Sequence, residues 1–379
     1  MTLLQHRRFR TRLIKRIADR SARSDCSDIA NAQRDREIER YLSSHAVQSA
    51  VRFDIWNREF GRIEAEQRWA SVQREPVCPF SYERYRSSRT PFFHKPRSTR
   101  GFRKICRLGE LEKMWHVMAR DLIVAQHRPR PHIGDWSARG RDKQIDQILA
   151  CLRTSRQAVV CADITRAFPS VNFDAVYELP YLPEPLIRRA IDYRSQRFVR
   201  KEGGEYTRQL GLAALNGNAD DLERSPSGLM EGSPASNAIF SVLMDDLPDH
   251  LDEGILAFIY CDNIVLIAPS MSRALRAQAA LARYLSGHRA GPFEMRSTVS
   301  SASEPFEHLG YSLERRARSQ PAVSLSLSGW LKLGARLETE EFDPDRTTQW
   351  LTASYGRCSP HKMEEYQAWI AQEVGFRAG

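Results

Sequence analysis

The chain has 379 residues, enough for two or three domain-sized units and a substantial core. An apolar fraction of 41% and a charged fraction of 27% are those of an ordinary globular protein, and no apolar run approaches the roughly 18–20 residues that span a bilayer. Lys and Arg number 57 against 47 Asp and Glu, and the seven cysteines are scattered with no CxxC pair, which argues against a disulfide framework or a zinc site and for reduced thiols in a cytosol.

The net charge of +10 comes mostly from Arg, whose guanidinium matches phosphate geometry. A solvated surface and a nucleic-acid partner both account for it. Residues 1–23 carry eight basic side chains and one acid, Asp19, with Leu3, Leu4, Leu13, Ile14 and Ile17 at near-helical spacing. This predicts a basic amphipathic helix, suited to an RNA partner or an oligomer contact. An Arg-rich start also suits an organelle transit peptide, but the helical pattern runs on without a cleavage-like break.

Residues 24–75 read as helical throughout, and Pro76 and Pro79 end that unit. Two short strands are expected between Phe92 and Arg107, around the basic turn HKPRSTRG, where His94 reads as a solvated histidine. A strongly patterned helix follows over 109–126. The loop GDWSARG, in which Trp136 is placed to stack a base, then enters another helix.

The strand AVVCADI comes next, and a long polar insertion over 195–226 separates it from SGLMEGSPASNAIFSVLMDDL, a Gly-rich turn feeding a helix. Asp245 and Asp246, at the end of that stretch, read as surface or capping groups. FIYCDNIVLIA reads as a further strand, followed by a helix, a strand pair around EHLGYSLERR and a helical tail from about 329. Strands that alternate with helices in this way predict an α+β chain with a palm-like antiparallel sheet.

Two apolar strands each carry one Asp at the centre, Asp163 in VVCADITRAF and Asp262 in FIYCDNIVLI. A carboxylate in a buried strand is costly unless something offsets its desolvation, and a shared divalent cation removes the repulsion between two of them. Local hydrogen bonding is the other way to satisfy each acid. Between these strands lies GLMEGSPAS, whose glycines let backbone approach a ligand closely. Upstream, Lys95, Arg97, Arg100, Arg103 and Lys104 crowd one hairpin and could grip a triphosphate.

In this order the stretches resemble a reverse transcriptase over about residues 90 to 315. The resemblance implies a right-hand polymerase: a helical N-terminal extension (1–88), fingers (89–160), a palm (161–315) and a thumb-like helical region (316–379). It implies that Asp163 and Asp262 ligate Mg²⁺, with Mn²⁺ as the alternative ion, and that the backbone of Ile164 joins them. Lys95 and Arg103 would hold the incoming dNTP, and Phe168 would exclude a 2′-hydroxyl. Glu231 and Gly232 stand in the second palm motif, and FIYCDN would be the hairpin turn of the palm, with Tyr260 beside the growing strand and Asp262 facing Asp163. EHLGYSLE resembles the turn that steadies the primer end.

The chain departs from the family where Asn263 replaces a second Asp, where Met230-Glu231 replaces a Gln, and where Arg296 is the nearest candidate for a late-palm lysine. Its extensions resemble bacterial defence-associated and retron-like enzymes, which implies a cytoplasmic anti-phage system that makes nascent DNA with a noncoding RNA or by unusual or untemplated synthesis, alone or with a second subunit or copy. A catalytically retired RNA-binding or scaffold subunit is the alternative.

Overall fold

The computed structural model describes residues 2–22, 28–72, 81–86, 89–96, 102–135, 140–154, 158–200, 226–315, 321–337 and 343–378. In chain order the elements are α1 (Leu3–Ser21), α2 (Asp28–Ser43), α3 (His45–Phe60), α4 (Arg62–Val72), β1 (Arg89–Pro96), β2 (Phe102–Cys106), α5 (Glu110–Gln126), α6 (Gly140–Leu152) and β3 (Ala158–Thr165). After four short helical segments come β4 (Arg197–Arg200), α7 (Ser236–Leu243), β5 (Leu256–Tyr260), β6 (Asn263–Ala268) and α8 (Met271–Ser286). The chain continues through β7 (Glu294–Ser301), β8 (Phe306–His308), β9 (Tyr311–Glu314), β10 (Ala322–Leu325), α9 (Leu327–Leu337), α10 (Pro344–Tyr355) and α11 (Pro360–Ala378). The protein is α+β, with small and largely antiparallel sheets. No helix among the described residues is long and apolar enough to cross a membrane.

The elements form two compact units. The first comprises residues 1–129, 166–244 and 288–292, and the second comprises 130–165, 245–287 and 293–379. The first unit therefore takes in both the helical N-terminal segment and the basic hairpin.

The expected run of helix over 24–75 is three helices in the structure. Ser44 caps α3 by accepting from the Val47 N–H, and Gly61, at φ 82°, breaks the chain before α4. Helix α1 starts on a capping box made by Thr2 and Gln5, and it turns His6, Leu13 and Ile17 inward. It packs on α2, α3 and α5, so its apolar stripe belongs to the core of the unit.

Its arginines are sorted by face. Arg10 donates to Asp54 at 2.7 Å and reaches the nearly buried Asp121, which also accepts from the buried Tyr41 hydroxyl at 2.7 Å. Burial, with the Asp121 charge beside it, pushes the Tyr41 phenol well up. Arg7 pairs with Asp54, and Arg16 lies 3.6 Å from Glu37. Arg8, Arg12 and Lys15 are exposed on the opposite face.

The hairpin of β1 and β2 is antiparallel, with Lys95 opposite Arg103 and His94 opposite Lys104. His94 is buried rather than solvated, because its ring packs edge-on against Phe92 at 5.7 Å on the covered face. The expected insertion begins with structure: β4 adds in parallel to β1, giving the sheet order β2-β1-β4. Most of that insertion (201–225), Arg97, Arg100 and Trp136 lie outside the described residues.

In the second unit β5-β6-β3-β7 form an antiparallel sheet, and β8, β9 and β10 form another. Strand β10, ahead of the helical tail, was not legible as a strand. One face of the larger sheet presents Val159 on β3, Val265 and Ile267 on β6 and Phe258 on β5 to α6, β8 to β10 and the C-terminal helices. The other face lies against α8, whose Gln278 donates to Ser297 of β7 at 2.8 Å.

Candidate functional site

The stretch FIYCDNIVLIA is a hairpin, as the resemblance implies: β5 ends at Tyr260, Cys261-Asp262 turn, and β6 begins at Asn263. The cause is local. Cys261 adopts φ 52°, a left-handed conformation that a residue with a side chain takes only where its surroundings hold it. Its thiol lies 3.2 Å from an Asp135 carboxylate oxygen, and the next backbone carbonyl, that of Asp262, accepts from the Ile164 N–H at 2.9 Å. The second bond ties the turn to β3.

Side chains alternate along a strand, so register decides which residues share a face. Tyr260 stands opposite Asn263, Asn263 opposite Asp163, and Asp163 opposite Arg296. These four form one row across β5, β6, β3 and β7. On the same face the preceding row is Phe258, Val265, Cys161 and Thr298, so the face is apolar over its inner rows and polar at its end. Asp163 and Arg296 are exposed, while Tyr260, Asp262 and Asn263 are half-buried. Ile164 points its buried side chain to the opposite face, leaving only its backbone available to the row.

Two polar groups are set against the turn. The Asn263 amide Nδ2 donates to Asp262 Oδ1 at 2.9 Å. Burial, with the Cys261 thiol and the Asp135 carboxylate nearby, raises the Tyr260 phenol. Behind Tyr260 the Ile259 carbonyl accepts from the Gly134 N–H at 2.7 Å and from Gln144 Nε2 at 2.8 Å, and the Ile259 N–H donates to His132 at 2.7 Å. The amide oxygen of Gln144 lies 3.0 Å from His308 Nε2. A Cβ on Gly134 would stand 2.3 Å from Gln144 Nε2, so only glycine lets that amide in. Sequence reasoning missed Gln144 and His308, which stand among other polar residues in GRDKQIDQILACL and FEH and meet only in the fold.

The other expected residues lie in the first unit. Gly228, at φ 61°, lets the Leu229 N–H donate to the Phe168 carbonyl at 2.9 Å. The Phe168 ring meets Phe240 edge-on at 5.4 Å. Glu231 bridges to Ile105 of β2, and its carbonyl accepts from Cys106 at 2.8 Å. Gly232, at φ 99°, faces the Cys106 carbonyl, where a Cβ would approach to 2.6 Å. Met230 is buried with Phe92, Cys106 and Leu108, so this departure from the family pattern is a core residue. Arg103 is exposed on β2, and Lys95 lies opposite it in the ladder, its side chain outside the description.

A second polar anchor holds the Gly-rich turn. His116 Nε2 lies 2.8 Å from the Ala190 carbonyl, so this nitrogen carries the proton and Nδ1 accepts from Ser233 Oγ at 2.6 Å. Ser233 Oγ in turn accepts from the Ala235 N–H at 3.1 Å. Asp245 and Asp246 have local partners, accepting from the Arg130 N–H at 2.8 Å and the Tyr284 hydroxyl at 2.5 Å.

Burial lowers His116 to about 4 and His308 to about 3. Each imidazole would titrate near pH 6.5 in the unfolded chain, so the stability that depends on its neutrality is complete above that pH and is lost as the pH falls toward about 4. The advantage of wild type over His308→Gln is expected to shrink by about 2–3 kcal/mol between pH 7 and pH 4. Urea unfolding at each pH measures it, and a constant difference would show that His308 is not held neutral.

Among the described residues no group of three or more His, Cys, Asp or Glu side chains is placed to hold a metal ion. The donor set of Asp163 and Asp262 suits a hard cation such as Mg²⁺, which takes one or two carboxylates and completes its shell with water and substrate phosphates. The chain matches no family model and no curated protein.

Proposed function

We propose that this protein is a Mg²⁺-dependent nucleotidyltransferase of reverse-transcriptase type, a right-hand polymerase that makes DNA from dNTPs in a bacterial anti-phage system. The observation that carries the reading is the polar row at the end of one apolar sheet face, with Asp163 on the central strand and Asp262 at the tip of the adjoining hairpin. When bound there, divalent cations orient a primer oxygen and stabilise the charge that develops on the phosphates. Asp163 and Asp262 supply the negative charge that holds the cations. Arg103 and Lys95 neutralise the outer phosphates of the dNTP, Phe168 selects against a 2′-hydroxyl, and Tyr260 lies beside the primer end.

Glu231 in the Gly-rich turn supports synthesis on a dedicated noncoding RNA or without a template. The test is incorporation of labelled dNTPs by the purified full chain with Mg²⁺ or Mn²⁺, with and without complete RNase digestion of copurified RNA. Product lost on digestion supports an RNA template, and product retained supports untemplated synthesis. No product with any primer, template or cation favours the second reading, a retired RNA-binding subunit, for which Asn263 is the supporting observation.

The outer face of α1 fits the RNA partner. Arg8, Arg12 and Lys15 lie within one stripe spanning about 10 Å of helix, clear of the carboxylates that pair Arg7, Arg10 and Arg16. The apolar face of this helix is already in the core, which disfavours its insertion into a lipid surface. Changing these three residues to Ala is expected to lower the slope of log K against log salt by about 2 for single-stranded RNA, with an unchanged melting temperature. An unchanged slope would remove α1 from the interface.

A further inference from the structure

We infer that Asn263 is a positioning residue for Asp262, one that sets the polar row before any cation arrives. The inference rests on the reading above that Asp163 and Asp262 hold a divalent cation.

The direction of the Asn263 side chain is dictated by chemistry. A carboxylate only accepts hydrogen bonds, so the amide must present Nδ2 to Asp262, and it does so at 2.9 Å on Oδ1. That bond restrains a side chain at the tip of a two-residue turn. Oδ2 of Asp262 receives no bond from this amide and is the oxygen left for a ligand. The backbone below is pinned separately, by the Ile164 N–H on the Asp262 carbonyl. Asn263 thus acts on the carboxylate itself.

Register adds a second consequence. Asn263 stands directly across from Asp163 on the neighbouring strand, so it occupies the place between the two acids. A third carboxylate there would repel Asp163 across the ladder and could not donate to Asp262. A neutral amide removes that repulsion, and Arg296, on the other side of Asp163, adds a positive charge to the row. The row thus carries one carboxylate and one guanidinium, with the second carboxylate, Asp262, bonded to Asn263 from the adjoining turn.

The experiment measures Mn²⁺ binding to the full chain without nucleotide, by loss of the free-ion resonance signal, and records melting in chelator. Wild type is expected to bind. Asn263→Ala is expected to bind ~10–100-fold more weakly, the usual range for a lost orienting partner, while melting in chelator within about 2 °C of wild type. Asn263→Asp is expected to melt several degrees lower than wild type in chelator and to gain more on adding Mn²⁺.

Wild type and both variants alike in affinity and melting would overturn the role of Asn263 and leave the cation site standing. An Asn263→Ala chain that melts well below wild type in chelator would also overturn it, since weaker binding would then follow from a loosened turn. Wild type that binds no Mn²⁺ up to ~10 mM would overturn the cation site itself, and the role of Asn263 with it.

Discussion

Asp262→Asn is expected to reduce dNTP incorporation at least ~1,000-fold, about 4 kcal/mol of transition-state stabilisation, with the melting temperature almost unchanged. The two side chains have the same shape, and the new amide oxygen can still accept from Asn263 Nδ2. The turn keeps its backbone bond to Ile164, because that bond uses the carbonyl of residue 262 and not its side chain. What disappears is one negative charge at the position proposed to hold a cation, and an amide does not replace it. Asp163→Asn should behave alike, since Asp163 is exposed and the substitution keeps its shape while removing its charge. Incorporation of labelled dNTP by purified variants is the measurement. Activity within tenfold of wild type in either variant would sink the assignment of both acids.

Gly228→Ala should be the most damaging of the small substitutions. A Cβ there would stand 2.2 Å from the Phe168 carbonyl oxygen and 2.8 Å from that of Pro169. Both are backbone atoms, so no side chain can swing away to make room. The φ of 61° adds the strain of a left-handed alanine. Together these should cost about 3–5 kcal/mol and lower the melting temperature by roughly 10 °C. The variant would also push the Gly-rich turn off the segment that carries Phe168, so activity should fall in the surviving folded fraction. Gly334→Ala is the control: it lies in α9 with nothing within 4 Å of the added Cβ, and should stabilise by about 0.5–1 kcal/mol. Equal melting of the two variants would mean that the close approach at Gly228 is not needed.

Much of this was legible because periodicity and turn chemistry are local. The helix over 110–126, the basic hairpin and the strand around Asp163 follow from patterns of a few residues. FIYCDN was harder: its apolar letters continue across the turn, and no Gly or Pro marks it. The polar triplet and the resemblance marked the turn, and only the fold shows that a non-glycine residue takes the left-handed position. Strand β4 was hidden inside a polar stretch, because it owes its place to pairing with β1 rather than to its own alternation. The breaks at Ser44 and Gly61 were present as letters, but in a run of charged and aromatic residues their effect on helix length was not visible.

The candidate residues divided the same way. Asp163 and Asp262 stood out as acids where acids are costly. Gln144, His308 and His116 did not, since a buried polar side chain looks ordinary in sequence until its partner, more than 70 residues away, is known. Asn263 was conspicuous as a departure, yet the sequence offered no direction for its amide.

The alternation of rows on the larger sheet has a consequence for how such a chain can change over time. Folding draws on the inner rows and their cover of helices, whereas the outermost row answers to whatever binds there. Substitutions in that row leave the packing of the inner rows untouched, so their cost is set by the charges within the row and by whatever binds there. A lineage carrying this sheet could therefore change what its outermost row binds and still keep the same scaffold beneath it.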